Sequence, residues 1–149
     1  MATYTDSIGF NKGAAAFPAS VNAVSKFEVE LDFAAINAAR TAAGAAALAA
    51  ADTLQVINLP ANAVVLTAGI EVVTADTSTA TFDLGFTGGS PAAANCYAND
   101  APISTAGYTV ADLANPTAVK VADTIDLLIN TAAPTTGKIR VFAVVADVS

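Results

Sequence analysis

From Lys26 to Phe33 the chain reads KFEVELDF, with Phe27, Val29, Leu31 and Phe33 at every second position and Lys26, Glu28, Glu30 and Asp32 between them. A period of two sends apolar side chains to one face and charged ones to the other, which predicts a half-buried strand. The same alternation returns in TATFDLGF, from Thr79 to Phe86, where Ala80, Phe82, Leu84 and Phe86 share a face. LQVINL (54–59) stops at Pro60, and a Pro60-Ala61-Asn62 turn leads into a longer apolar run over 63–75. Two further strands are predicted over 118–131 and 138–148, joined by a turn at Pro134-Thr135-Thr136-Gly137.

Between these strands the pattern weakens. Alanine propensity over 34–51 favours helix, but Gly44 interrupts it, so one or two helical turns or a compact loop are expected there. Gly88-Gly89-Ser90-Pro91 closes the strand that ends at Phe86. The polar, alanine-rich stretch from Ala92 to Asn115 predicts long loops with one short strand around Tyr108. Ala51-Asp52-Thr53 and Ala122-Asp123-Thr124 each precede an apolar run, an echo that fits equivalent strands in two halves of a sandwich or merely a shared turn chemistry. Residues 1–25 show no sustained period and carry Gly9, Gly13 and Pro18, which predicts an N-terminal arm ahead of a domain over 26–149. Extended at about 3.3 Å per residue, such an arm reaches on the order of 80 Å, far enough to touch a neighbouring subunit.

Seven or eight strands without a long amphipathic helix predict an all-β fold: an antiparallel β-sandwich, with a jelly roll as its leading version and an extended N-terminal arm. At 149 residues, the chain has the size of one domain that can bury a core without a disulfide framework.

Composition narrows the function. Only 13 % of residues are charged, and a surface of Ala, Thr, Ser and Asn is cheap to bury against partners. The net charge is −7 and the six basic residues are scattered, so no footprint for nucleic acid is expected. The first ten residues lack the pattern of a signal peptide, and the alanine run over 41–51 is too short to span a bilayer. Synthesis in the cytosol and no membrane insertion are the expectation. Cys96 is the only cysteine and is expected to be a small, at least half-buried, apolar residue.

The chain has no histidine, which removes Ser-His-Asp and Cys-His arrangements and His-based metal sites. Asp76, Asp83, Asp100, Asp112, Asp123 and Asp126 stand mostly beside Thr, Ser, Asn or Gly, where capping of turns is their expected work. Gly85-Phe86-Thr87-Gly88-Gly89 lacks the lysine of a phosphate-binding loop. Asp76 to Thr79 and Asn95 to Asp100 do not match EF-hand spacing. No catalytic residue, cofactor-binding residue or metal ligand is therefore predicted. The candidate interface residues are the aromatics of the irregular stretches: Phe10, Phe17, Tyr97 and Tyr108.

The succession Phe27 to Phe33, Ile36 to Arg40, Ala51 to Pro60, Gly69 to Ala75, Thr81 to Gly85 and Gly137 to Val148 resembles small virion proteins of tailed bacteriophages, cyanophages included. The resemblance covers roughly residues 26 to 149. It implies a head decoration, or cement, protein: a jelly-roll-like subunit, commonly trimeric, seated on the capsid surface across capsomer boundaries, with the major capsid protein as partner. A tail or fibre component and a carbohydrate-binding or adhesin module are the alternatives; the paucity of aromatics counts against the latter.

Overall fold

The structure, a computed structural model, describes residues 2–4, 8–10, 13–14, 24–87, 93–110 and 117–148. These form eleven strands and one helix: β1 (Thr3–Tyr4), β2 (Gly13–Ala14), β3 (Val24–Asp32), α1 (Phe33–Ala42), β4 (Thr53–Leu59), β5 (Ala63–Thr74), β6 (Thr81–Phe86), β7 (Ala93–Pro102), β8 (Gly107–Val110), β9 (Thr117–Val119), β10 (Asp123–Asn130) and β11 (Lys138–Asp147). One sheet has the order β1-β4-β10-β6-β7, with β2 also on β4. The facing sheet has the order β3-β11-β5-β8, with β9 also on β5. All pairings are antiparallel except those of β1 and β2 with β4, and the whole is a β-sandwich.

The alternation read from the sequence is what fills the space between the sheets. Val29 and Leu31 of β3, Ile139, Val141, Ala143 and Val145 of β11, and Phe82, Leu84 and Phe86 of β6 are all buried. Phe33 stacks on Phe82 at 5.4 Å between ring centroids, a contact between the start of the helix and the opposite sheet. In β5 the alternation slips twice. Val144 and Val145 pair with Thr67 and Val65, skipping Leu66, while Lys138 and Ile139 pair with Thr74 and Val72, skipping Val73. Such bulges re-aim the strand without breaking it, and they let twelve residues serve both β8 and β9 on one edge.

The helix has both its stops written in sequence. Asp32 caps its start, Oδ1 accepting from Ala35 N at 3.0 Å, and that bond leads in holding the Asp32 carboxyl below its usual range. At the other end Gly44 takes φ +74°, Gly44 N donates to Thr41 O and Ala45 N donates to Arg40 O, a Schellman closure.

Three expectations need correction. The stretch from Ala92, expected as loops, contains the ten-residue strand β7, which lies at a sheet edge and buries only Tyr97, Ala98 and Ala101. An edge strand with so few inward side chains carries no continuous alternation, and register shifts against β6 break what there is. Cys96 lies on this strand and is exposed rather than buried. The two Ala-Asp-Thr segments do not open equivalent strands of two halves: β4 and β10 are antiparallel neighbours in one sheet.

The N-terminal stretch also has structure of its own, because β1, β2 and residues 8–10 lie against the sandwich. The strand β3 begins at Val24, slightly ahead of the start expected for the domain.

Candidate interaction surfaces

Of the four aromatics singled out in the sequence, the structure puts two inside the subunit. Phe10 and Tyr97 belong to the core, Tyr97 meeting Phe86 edge-on at 5.7 Å. Their burial in the chain's own core leaves little ring surface for a partner. Phe17 lies outside the described residues. Tyr108 is different: it is 70 % exposed on β8, and its hydroxyl donates to Glu71 Oε1 at 2.8 Å. That hydrogen bond, followed by the Glu71 charge, raises the Tyr108 pKa. The structure therefore does not gather the three described residues into one patch.

Tyr108 stands at one side of a charged face on the β3-β11-β5-β8 sheet. Register places Arg140 of β11 opposite Glu30 of β3 and Glu71 of β5. Its guanidinium reaches Glu28 at 3.0 Å, Glu30 at 3.3 Å and Glu71 at 2.7 Å. Lys138 lies 3.5 Å from Glu30 and 3.4 Å from Asp32, and Lys26 meets Glu28 at 2.6 Å while lying over the Phe142 ring. The polar positions of KFEVELDF are thus cross-strand partners for the polar positions of KIRVF. Single exposed pairs stabilise by roughly 0–1 kcal/mol, so this ladder fixes register more than it adds stability.

Two buried carboxylates are held differently. Asp76, in the loop after β5, is buried and accepts from Ser78 N, Thr135 N, Thr136 N and Gly137 N at 2.6 to 2.9 Å, and from the Thr135 hydroxyl at 3.0 Å. Burial alone would raise its pKa, but the backbone donors, Gly137 and Ser78 foremost, outweigh it and hold the carboxyl well below its ordinary range. Asp126, outward-facing on β10 yet 1 % exposed, accepts from the Thr124 hydroxyl at 2.6 Å and from Thr87 through both its N–H and its hydroxyl. Here burial prevails and the pKa is raised. Gln55, Asn58, Leu59, Ala122, Asp123 and Thr124 line a shallow open groove between β4 and β10. Among the described residues no three Cys, Asp or Glu side chains come close enough to hold a metal ion.

No family model matches this sequence, and no curated protein matches it. Solved structures do share its architecture. A chain of the cyanophage Pam1 capsid asymmetric unit superposes with a TM-score of 0.61 at 22 % identity, over 89 % of this chain and 91 % of that one. The fold is one found in phage capsids. A chain of the acidic stable capsid of Helicobacter pylori bacteriophage KHP30 matches with a TM-score of 0.56 at 18 % identity, over 87 % of this chain and 90 % of that one. A chain of the capsid of Ralstonia phage GP4 gives 0.55 at 17 % identity, over 90 % of each chain. Because coverage is about nine-tenths in both directions, the matched chains are themselves of about this size.

Proposed function

We propose that this chain is a non-enzymatic structural protein of a phage virion, specifically a decoration or cement protein that binds across capsomer boundaries and stabilises the head. One observation carries the reading: the fold match, over nearly the whole of both chains, to a small chain of the cyanophage Pam1 capsid asymmetric unit. Strand order supports the jelly-roll form of the sandwich. With β8 and β9 taken as one interrupted strand, β3-β11-β5-β8 facing β4-β10-β6-β7 is the connectivity of two interleaved Greek keys. On this reading the chain works on the capsid surface as a homo-oligomer, a trimer being favoured, with the major capsid protein as its partner and neither nucleic acid nor membrane as a ligand. A subunit bound across shell boundaries adds its binding free energy to what capsomers must lose to separate.

Quantitative peptide mass spectrometry of purified particles tests this directly. A copy number near that of the major shell subunit, together with heads that lose thermal stability when the protein is stripped away, is the expected result. A copy number of a few per cent of the shell subunit would instead assign it to the tail, and the cement reading would fall.

A further inference from the structure

The free edge of β4 is occupied by the chain's own N-terminal residues, and the contacts there are specific. Thr53 N donates to Ala2 O at 2.7 Å, and Ala2 N donates to Asp52 Oδ1 at 3.0 Å, while Asp52 Oδ2 is fixed by Ala49 N at 2.9 Å. The buried Arg40 guanidinium, oriented by Nε donating to Ala46 O at 2.8 Å, lies 3.7 Å from the Tyr4 ring centroid. Gly9 sits so close to α1 that a Cβ there would stand 2.6 Å from Ile36 Cα, and its φ of +87° suits glycine. Phe10 enters the core, and β2 pairs in parallel with Ile57 and Asn58 farther along the same edge. Backbone pairing gives an added strand affinity and side-chain contacts give it identity; this edge has both.

We propose that the β4 edge, with Asp52, Arg40 and the Ile36 turn of α1, is a strand-accepting site, and that between copies of this chain its occupant is exchanged, the N-terminal segment of one copy seating on β4 of another. Three observations converge on exchange. First, β1 and β2 touch β4 through two residues each, so release disrupts few backbone pairs. Second, the chain passes from β2 on one sheet to β3 on the other through nine residues, 15 to 23. These can span at most roughly 30 Å at about 3.3 Å per residue, which sets how far away an accepting β4 can lie. Third, the contacts are the same whichever copy supplies the segment, so the balance is set by effective concentration, and a bare β4 edge is disfavoured either way. The proposal concerns copies of this chain alone and is independent of the virion reading.

Cysteine pairing in the full-length protein tests it, with Cys96→Ser as background. One tagged chain carries Ala14→Cys and a differently tagged chain carries Asn58→Cys, register partners on the β4 edge. A second mixture pairs Thr3→Cys with Thr53→Cys, also register partners. After co-incubation and mild oxidation, exchange yields disulfides between the two chains that rise with concentration and exceed by about tenfold those from Ala14→Cys mixed with Thr131→Cys. Adding Gly9→Val should abolish them. If mixed chains cross-link no better than that control while both cysteines on one chain close a bridge within it, exchange is refuted. Failure of the single-chain bridge as well would overturn the accepting site itself. Either failure leaves the virion reading to its own test.

Discussion

Asp76 and Asp126 are both buried carboxylates with hydroxyl and backbone donors, yet their environments pull them in opposite directions. Asp76 gathers N–H groups from both the loop after β5 and the turn before β11, so its charged form is the one the fold stabilises. Its folded pKa lies below the unfolded value, so its contribution is present above the ordinary carboxylate range and is lost as pH falls through the folded pKa. Asp76→Asn should therefore destabilise at pH 7 by about 2–3 kcal/mol, with the gap to the parent narrowing under strong acid. Asp126 reverses the sign. Its raised pKa means that the folded state holds the proton more tightly, so stability is lost as pH rises from the unfolded pKa through the folded one. Asp126→Asn is expected to melt higher than the parent at pH 7 and to match it below the ordinary carboxylate range. Thermal melts from about pH 1 to pH 8 check both; an Asp126→Asn protein that melts lower at pH 7 would show that the Thr87 and Thr124 bonds outweigh burial.

Two glycines show how element boundaries depend on space in one case and on conformation in the other. At Gly85 of β6 a Cβ would lie 2.1 Å from Ala93 O and 2.7 Å from Ala94 C, backbone atoms of β7 that cannot rotate aside. Gly85→Ala must push the two strands apart, at a cost of about 1–3 kcal/mol or more. Gly44 has open space around its Cβ but φ +74°, so Gly44→Ala should cost only about 1 kcal/mol. Urea denaturation of the two variants separates the cases, and a Gly44 variant less stable than the Gly85 variant would reverse the ranking. The same two elements mark where sequence was informative. The alternation of Thr79 to Phe86 announced β6, and Gly44 marked the end of the helix, whereas Asp32 read only as a polar position of the preceding strand. The strand β7 was hidden because its pairing depends on Gly85 admitting Ala93 and Ala94, a contact between chain segments that no local pattern carries.

At the scale of the molecule, the all-β class was readable because alternation alone says that most segments need an opposite face to cover them. Strand order was not, since it rests on distant pairings such as Asp126 with Gly85 and Val141 with Ile70. The N-terminal residues were read as an arm because Thr3, Tyr4, Gly13 and Ala14 show no period; parallel addition to β4 works through backbone groups and the distant side chains of Asp52 and Arg40. This division sets an order of opening. The strand β11 is paired along its length on both sides, to β3 and to β5, and its inward side chains are fully buried, so its amides should exchange only through global unfolding. The strand β1 is held at one side through two residues, Thr3 exposed and Tyr4 half-buried against the core. Native-state hydrogen exchange should accordingly show Val141 and Ala143 protected by the full unfolding free energy, with Thr53 N opening far sooner, since its acceptor is Ala2 O. Thr53 N faces the β4 edge that the N-terminal strand covers, so equal protection of Thr53 and Val141 would mean that this strand opens only with the whole sandwich, and the seating on β4 would then be permanent rather than exchangeable.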